Sequence, residues 1–185
     1  MRRKKLIAIL GLLAMAFGSP LVAATIFYEP VDLPDQVPGD DRWRYNYLVT
    51  GFTFSPDQGF TISFDINRYR DLEIPPIFVN NDWDVLVFQP DPNLPADGAY
   101  DALALVNGAS LQSTFPVDFI YLGAGRPGSQ RFDISQFDSG GNLVAVLESG
   151  FTTLIPEPSP LLLTFFGVSA LFLWSFRKRR RGLWP

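Results

Sequence analysis

The 185-residue sequence holds no histidine and no cysteine, so carboxylates are the first place to look for site chemistry. That absence excludes Ser-His-Asp and Cys-His nucleophiles, His- or Cys-ligated zinc and any disulfide framework. Acids are plentiful. Eighteen of nineteen lie between Glu29 and Glu148, against six arginines in the same stretch, a net charge of −12. Two kinds of chemistry are open to such a set. Asp82 and Asp84 flank Trp83, and Asp91, Asn93 and Asp97 follow in the next loop, an oxygen-rich group for calcium. Calcium takes about six to eight oxygens, and no EF-hand spacing with its closing glutamate is present. Paired carboxylates could instead hydrolyse a glycosidic bond, which needs a cleft and a carboxyl separation of about 5 to 9.5 Å. The simpler expectation is solvated loop acids and no cofactor.

Aromatic side chains offer a second chemistry. Trp43, Trp83, Tyr69 or Tyr100 beside Asp, Asn and Arg would make a sugar platform if exposed. Trp83 is the candidate glycan contact because it sits in a polar stretch, whereas Tyr45, Tyr47, Phe60 and Phe64 occupy alternating runs and read as core. The glycine-rich Gly123-Ala124-Gly125-Arg126-Pro127-Gly128 has neither the Lys-Ser/Thr nor the following helix of a phosphate loop, and Pro127 lacks an amide donor, so it reads as a connecting turn. The acidic surface repels nucleic acid and anionic lipid.

The elements that would position these groups are strands. Trp43, Tyr45, Tyr47 and Val49 alternate with polar residues, with a bulge-like phase shift at Gly51 before Phe52 and Phe54. Phe60, Ile62, Phe64 and Ile66 alternate cleanly, and Ser55 to Gly59 reads as a hairpin loop joining the two runs. Further runs cover Ile26 to Tyr28, Asp84 to Gln89, Tyr100 to Val106, Phe115 to Tyr121, Arg131 to Phe137 and Asn142 to Phe151, the last two joined by the turn Asp138 to Gly141. Pro30 to Asp41 reads as a long acidic loop. About eight short strands predict an all-β fold, an antiparallel β-sandwich, over residues 25–155.

The two ends are compositionally different. Arg2 to Lys5, the apolar run Leu6 to Phe17, the helix-breaking Gly18-Ser19-Pro20 and the small Val22-Ala23-Ala24 have the three parts of a secretory signal over residues 1–24, with cleavage expected between Ala24 and Thr25. At the other end Pro156-Glu157-Pro158 is followed by an uncharged stretch, residues 160–176, at the lower limit for a transmembrane helix, and by Arg177, Lys178, Arg179, Arg180 and Arg181 as a stop-transfer cluster. Positive charge at both ends puts them in the cytoplasm and the acidic domain outside. An ordinary single-span anchor would share this hydropathy.

Within the C-terminal segment 156–185, Pro156 to Arg181 resemble the PEP-CTERM sorting signal of Gram-negative bacteria that make exopolysaccharide, on the order Pro-Glu-Pro, short apolar helix, arginine cluster. Gly182-Leu183-Trp184-Pro185 extends past the basic cluster, where such tails often stop. The resemblance implies cutting at or near Pro156 to Pro158 by an exosortase after export by the general secretion machinery and signal peptidase. It implies a transient stay at the inner membrane with the domain in the periplasm, then the cell surface or extracellular matrix. The expectation is a non-enzymatic, structural or exopolysaccharide-associated protein of the biofilm layer. Its alternatives are a carboxylate-dependent carbohydrate-active enzyme and a permanently anchored periplasmic binding module.

Overall fold

The computed structural model describes residues 23–78 and 80–155, and the strands it holds form two five-stranded sheets. In chain order they are β1 (Thr25–Asp32), β2 (Arg42–Thr50), β3 (Gln58–Phe64), β4 (Tyr69–Glu73), β5 (Trp83–Phe88), β6 (Gly98–Ala104), β7 (Phe115–Tyr121), β8 (Arg131–Phe137), β9 (Leu143–Phe151) and β10 (Thr153–Leu154). One sheet runs β10-β1-β2-β7-β4 and the other β5-β6-β3-β8-β9. The registered pairs β1/β2, β2/β7, β4/β7, β5/β6, β3/β6, β3/β8 and β8/β9 are all antiparallel. Backbone contacts group the chain into two units, Met1–Thr153 and Leu154–Pro185. The expected export signal upstream of Ala23, the Pro-Glu-Pro motif, the helix 160–176 and the basic cluster lie outside the described residues. No helix among the described residues is long and apolar enough to cross a membrane.

Alternation explains why the inner faces meet. Tyr45, Tyr47 and Val49 of β2 and Phe115, Val117, Phe119 and Tyr121 of β7 point to one side of the first sheet; Phe60, Ile62 and Phe64 of β3 and Tyr100, Ala102 and Ala104 of β6 line the second, and all are buried. Rings pack across the gap, Phe60 against Phe115 at 5.0 Å, Phe64 against Phe119 at 5.9 Å and Tyr47 against Tyr100 at 6.1 Å between centroids. Pro116 is tolerated in β7 because β4 pairs only from Asp118 to Tyr121, leaving the proline beyond the end of that ladder.

Three features depart from what the sequence predicts. The Ser55 to Gly59 loop is no hairpin: β2 and β3 belong to different sheets, and the segment arches between them, its Phe54 fully buried beneath. β4 is an additional strand. Its buried residues, Tyr69 and Leu72, are three apart because the pairing with β7 shifts register between Arg70 and Glu73, with Asp71 in the left-handed region at φ 54°. Third, β1 runs through Asp32, which shortens the expected acidic loop.

Candidate functional site

Of the aromatics that would make a sugar platform if exposed, Trp83, Tyr69 and Tyr100 are buried. Trp83 opens β5 rather than lying in a polar loop; it is only 5% exposed, packed against Phe54, Phe60 and Phe115, and its indole Nε1 donates to the Ser110 carbonyl at 3.0 Å. The polar neighbours that suggested a loop are the other face of a strand. Tyr69 and Tyr100 are also core residues, and Trp43 is half-buried with its Nε1 donating to Asp41 Oδ1 at 2.8 Å.

The acids around Trp83 shape loops. Asp82 Oδ2 accepts from the Ser110 amide at 3.0 Å and its carbonyl from the Leu105 amide at 2.8 Å, which pins the segment after β6 to the start of β5. Asp84 is exposed on the opposite side from the core. Asp91 Oδ1 accepts from the Asn93 amide at 2.8 Å and Asp97 Oδ1 from the Ile66 amide at 3.0 Å, side-chain bonds that hold their loops in place. Among the described residues there is no group of three or more Asp or Glu side chains that could hold a metal ion.

A different set of acids does come together. A cleft of about 370 Å³ is lined by Asp57, Asp101, Leu103, Phe137, Asp138, Ser139 and Gly141. Asp101 stands on the outer face of β6, in a polar row across the second sheet where Asp101 pairs with Thr61 and Thr61 with Asp133. Thr61 Oγ1 donates to Asp101 Oδ1 at 2.6 Å, and Asp133 accepts from Arg131 Nη2 at 3.1 Å. Burial raises the Asp101 carboxyl above its ordinary range; the Thr61 bond opposes this and the charge of Asp84 adds to it.

Asp138, in the β8–β9 turn, is the opposite case. Its Oδ1 accepts from the Asn142 and Gly140 amides, each at 2.9 Å, and those bonds, Asn142 foremost, hold the carboxyl below its ordinary range. Asp57 sits in the arch at φ 65°, with its carbonyl accepting from the Phe137 amide at 2.8 Å and Gln136 Nε2 at 3.1 Å. The cleft thus places a carboxyl that keeps its proton more readily near one that stays ionised, the asymmetry that acid and carboxylate pairs exploit. In sequence Asp101 and Asp138 are recognisable only as an outward residue and a turn residue; that they share a cleft depends on β6 and β8 flanking β3.

The first sheet carries a charged cluster of another kind. Asp118 on β7, 3% exposed, faces Arg44 in register and receives Arg44 Nη2 at 3.0 Å and Arg42 Nη2 at 3.1 Å. The fork of Arg44 grips both carboxylate oxygens, and this hydrogen bonding raises the guanidinium above its ordinary range. A cavity of about 170 Å³ beside it is lined by Arg42, Asp40, Asp71 and Glu73 among others. Two arginines on one buried carboxylate make this a structural lock. No family model matches the chain, and no curated protein matches it.

Proposed function

We propose that the chain is an exported, non-enzymatic envelope or matrix protein, delivered by an N-terminal signal, held briefly in the inner membrane by its tail, and released by an exosortase at Pro156 to Pro158. One observation carries the reading: the last strand among the described residues, β10, ends at Leu154, two residues before Pro156. A cut at the motif would leave all ten described strands on the released side. Two flanking prolines also favour an extended backbone at Glu157, which suits a protease that holds its substrate as a strand. The structural role is favoured over a glycan-binding one because Trp83, Tyr69 and Tyr100 are engaged in the core rather than displayed.

The test is the intact mass of the protein recovered from a host carrying an exosortase, with and without Glu157→Ala. Loss of the residues after the motif is expected, with retention in the variant. Protein found only at the membrane with its whole tail would refute release and favour the permanently anchored module.

The acidic cleft supports a second reading, a carbohydrate-active enzyme in which Asp101 supplies the proton and Asp138 the carboxylate. Glycan hydrolysis that disappears in Asp101→Asn while the fold persists would favour it. No turnover at all leaves the structural reading in place, and turnover unchanged by that substitution would overturn it while placing the catalytic groups elsewhere than at Asp101.

A further inference from the structure

The beginning of the fold is defined by a contact that spans almost the whole domain. The Ala24 backbone nitrogen lies 2.7 Å from Glu148 Oε2, at a sequence separation of 124. Ala24 is 9% exposed and belongs to the core cluster beside Ile26, whereas Ala23 is exposed. Glu148 is the one charged residue of β9, whose sequence is otherwise apolar or small, and it is half-buried. A partly shielded carboxylate on a strand of this kind is costly unless a strong donor meets it.

Two adjacent bonds in this sequence have alanine on the acyl side, Ala23–Ala24 and Ala24–Thr25. They differ in what they leave behind. Hydrolysis after Ala24 removes a core methyl and takes away the nitrogen that Glu148 holds. Hydrolysis after Ala23 leaves both in place: water adds across the Ala23 carbonyl carbon and Ala24 nitrogen, Ala23 departs as a carboxylate, and the Ala24 nitrogen takes up a proton. The amide donor becomes an ammonium beside the same carboxylate, and the hydrogen bond gains a full charge on its donor side.

We infer that the mature protein begins at Ala24, with its new α-ammonium captured by Glu148, so that signal removal itself ties the amino terminus to β9. This rests on the export reading and moves the expected cut one residue toward the N-terminus. It also gives Glu148 a purpose that composition alone does not. The pairing joins the start of β1 to a strand of the opposite sheet, where no registered bond runs between β1 and β9.

The chain offers a clean test, because its only lysines are Lys4, Lys5 and Lys178. After signal and tail are removed, the α-amine is the sole amine left for acylation. The full chain is expressed with export in a Gram-negative host, and the N-terminal peptide is identified by mass spectrometry. A start at Ala24 is expected. A start at Thr25 overturns the assignment while leaving export intact, and a start at Met1 overturns the export reading itself. In protein beginning at Ala24, Glu148→Gln should lower Tm by about 2 to 4 °C. Acetylating the α-amine should lower it similarly, and the two losses together should be smaller than their sum. Fully additive losses, or no loss in either, would overturn the ion pair.

Discussion

All six tyrosines, Tyr28, Tyr45, Tyr47, Tyr69, Tyr100 and Tyr121, are buried, and their hydroxyls are not equally served. Tyr45 Oη donates to the Gly128 carbonyl at 2.7 Å and Tyr47 Oη to Gln130 Oε1 at 2.9 Å. Among the described residues Tyr100 Oη and Gln130 Nε2 have no partner. Removing a bonded hydroxyl strands its acceptor, whereas removing an unbonded one relieves a desolvation cost. Tyr47→Phe should therefore cost about 1 to 2 kcal/mol, and Tyr100→Phe should be neutral or stabilising by up to about 1 kcal/mol, measured by chemical denaturation. Equal losses would show that Tyr100 is satisfied in solution. Desolvation pushes Tyr45, Tyr47, Tyr69 and Tyr100 above the ordinary phenol value of 10.0. Because the folded state holds those protons more tightly, their contribution to stability is complete below the unfolded value and declines as pH rises past it. Phenolate absorbance from these four should then appear together with unfolding. Phenolate signal well before loss of tertiary circular dichroism would contradict their burial. Asp118 is the corresponding polar residue: Asp118→Ala leaves Arg42 and Arg44 facing each other beside a buried gap and should cost about 2 kcal/mol, discounted because both arginines can turn toward water.

At the scale of elements, some parts of the fold are legible in the sequence and others are not. Clean period-2 runs, such as Phe60 to Phe64 and Phe115 to Tyr121, appear as strands with the expected buried faces, and Asp138 to Gly141 turns β8 into β9 as its Asp and glycines suggest. β4 is hidden because its bulge spaces Tyr69 and Leu72 by three, a spacing that reads as no strand. Trp83 reads as a loop residue because adjacent aspartates resemble a loop when strand direction is unknown. The arch at Ser55 to Gly59 has the composition of a hairpin turn, and only the pairing of β3 with β6 and β8 sends it to the other sheet. The cleft at Asp101 is illegible for the same reason, since local sequence carries no record of which strands become neighbours. Gly59 tests that pairing directly. A Cβ there would stand 2.5 Å from the Ala102 carbonyl oxygen, a backbone atom, so Gly59→Ala should push β3 from β6 and cost about 2 to 3 kcal/mol. β9 should behave differently. Val144 is 63% exposed, so Val144→Lys should change stability by no more than about 0.5 kcal/mol in denaturant titration.

Across the whole molecule, charge is distributed against the fold's own stability. The region from Glu29 to Glu148 carries −12. Arg42 and Arg44 are committed to Asp118, Arg70 to Asp40 and Asp71, and Arg131 to Asp133, leaving a large surplus of carboxylates to repel one another. Salt should therefore stabilise the domain, by screening a net repulsion rather than weakening attractive pairs. Asp101 reports that surplus at one position. Its carboxyl is raised above 3.8 by burial first, with Asp84 adding to the rise, so the folded state holds its proton more tightly than the unfolded chain. Stability from this group is then greatest at low pH, falls as pH rises from the unfolded value through the folded one, and stays reduced above it. Asp101→Asn keeps an acceptor for Thr61 Oγ1 and removes the charge. The substitution should raise Tm at pH 7 by about 1 to 3 °C, with most of the gain gone near pH ~3, where the native carboxyl is already protonated. Added salt should shrink the part of the gain that comes from Asp84 and leave the part that comes from burial. A Tm gain of the same size at both pH values would assign the effect to packing, and a loss at pH 7 would mean that the ionised carboxylate holds the sheet together.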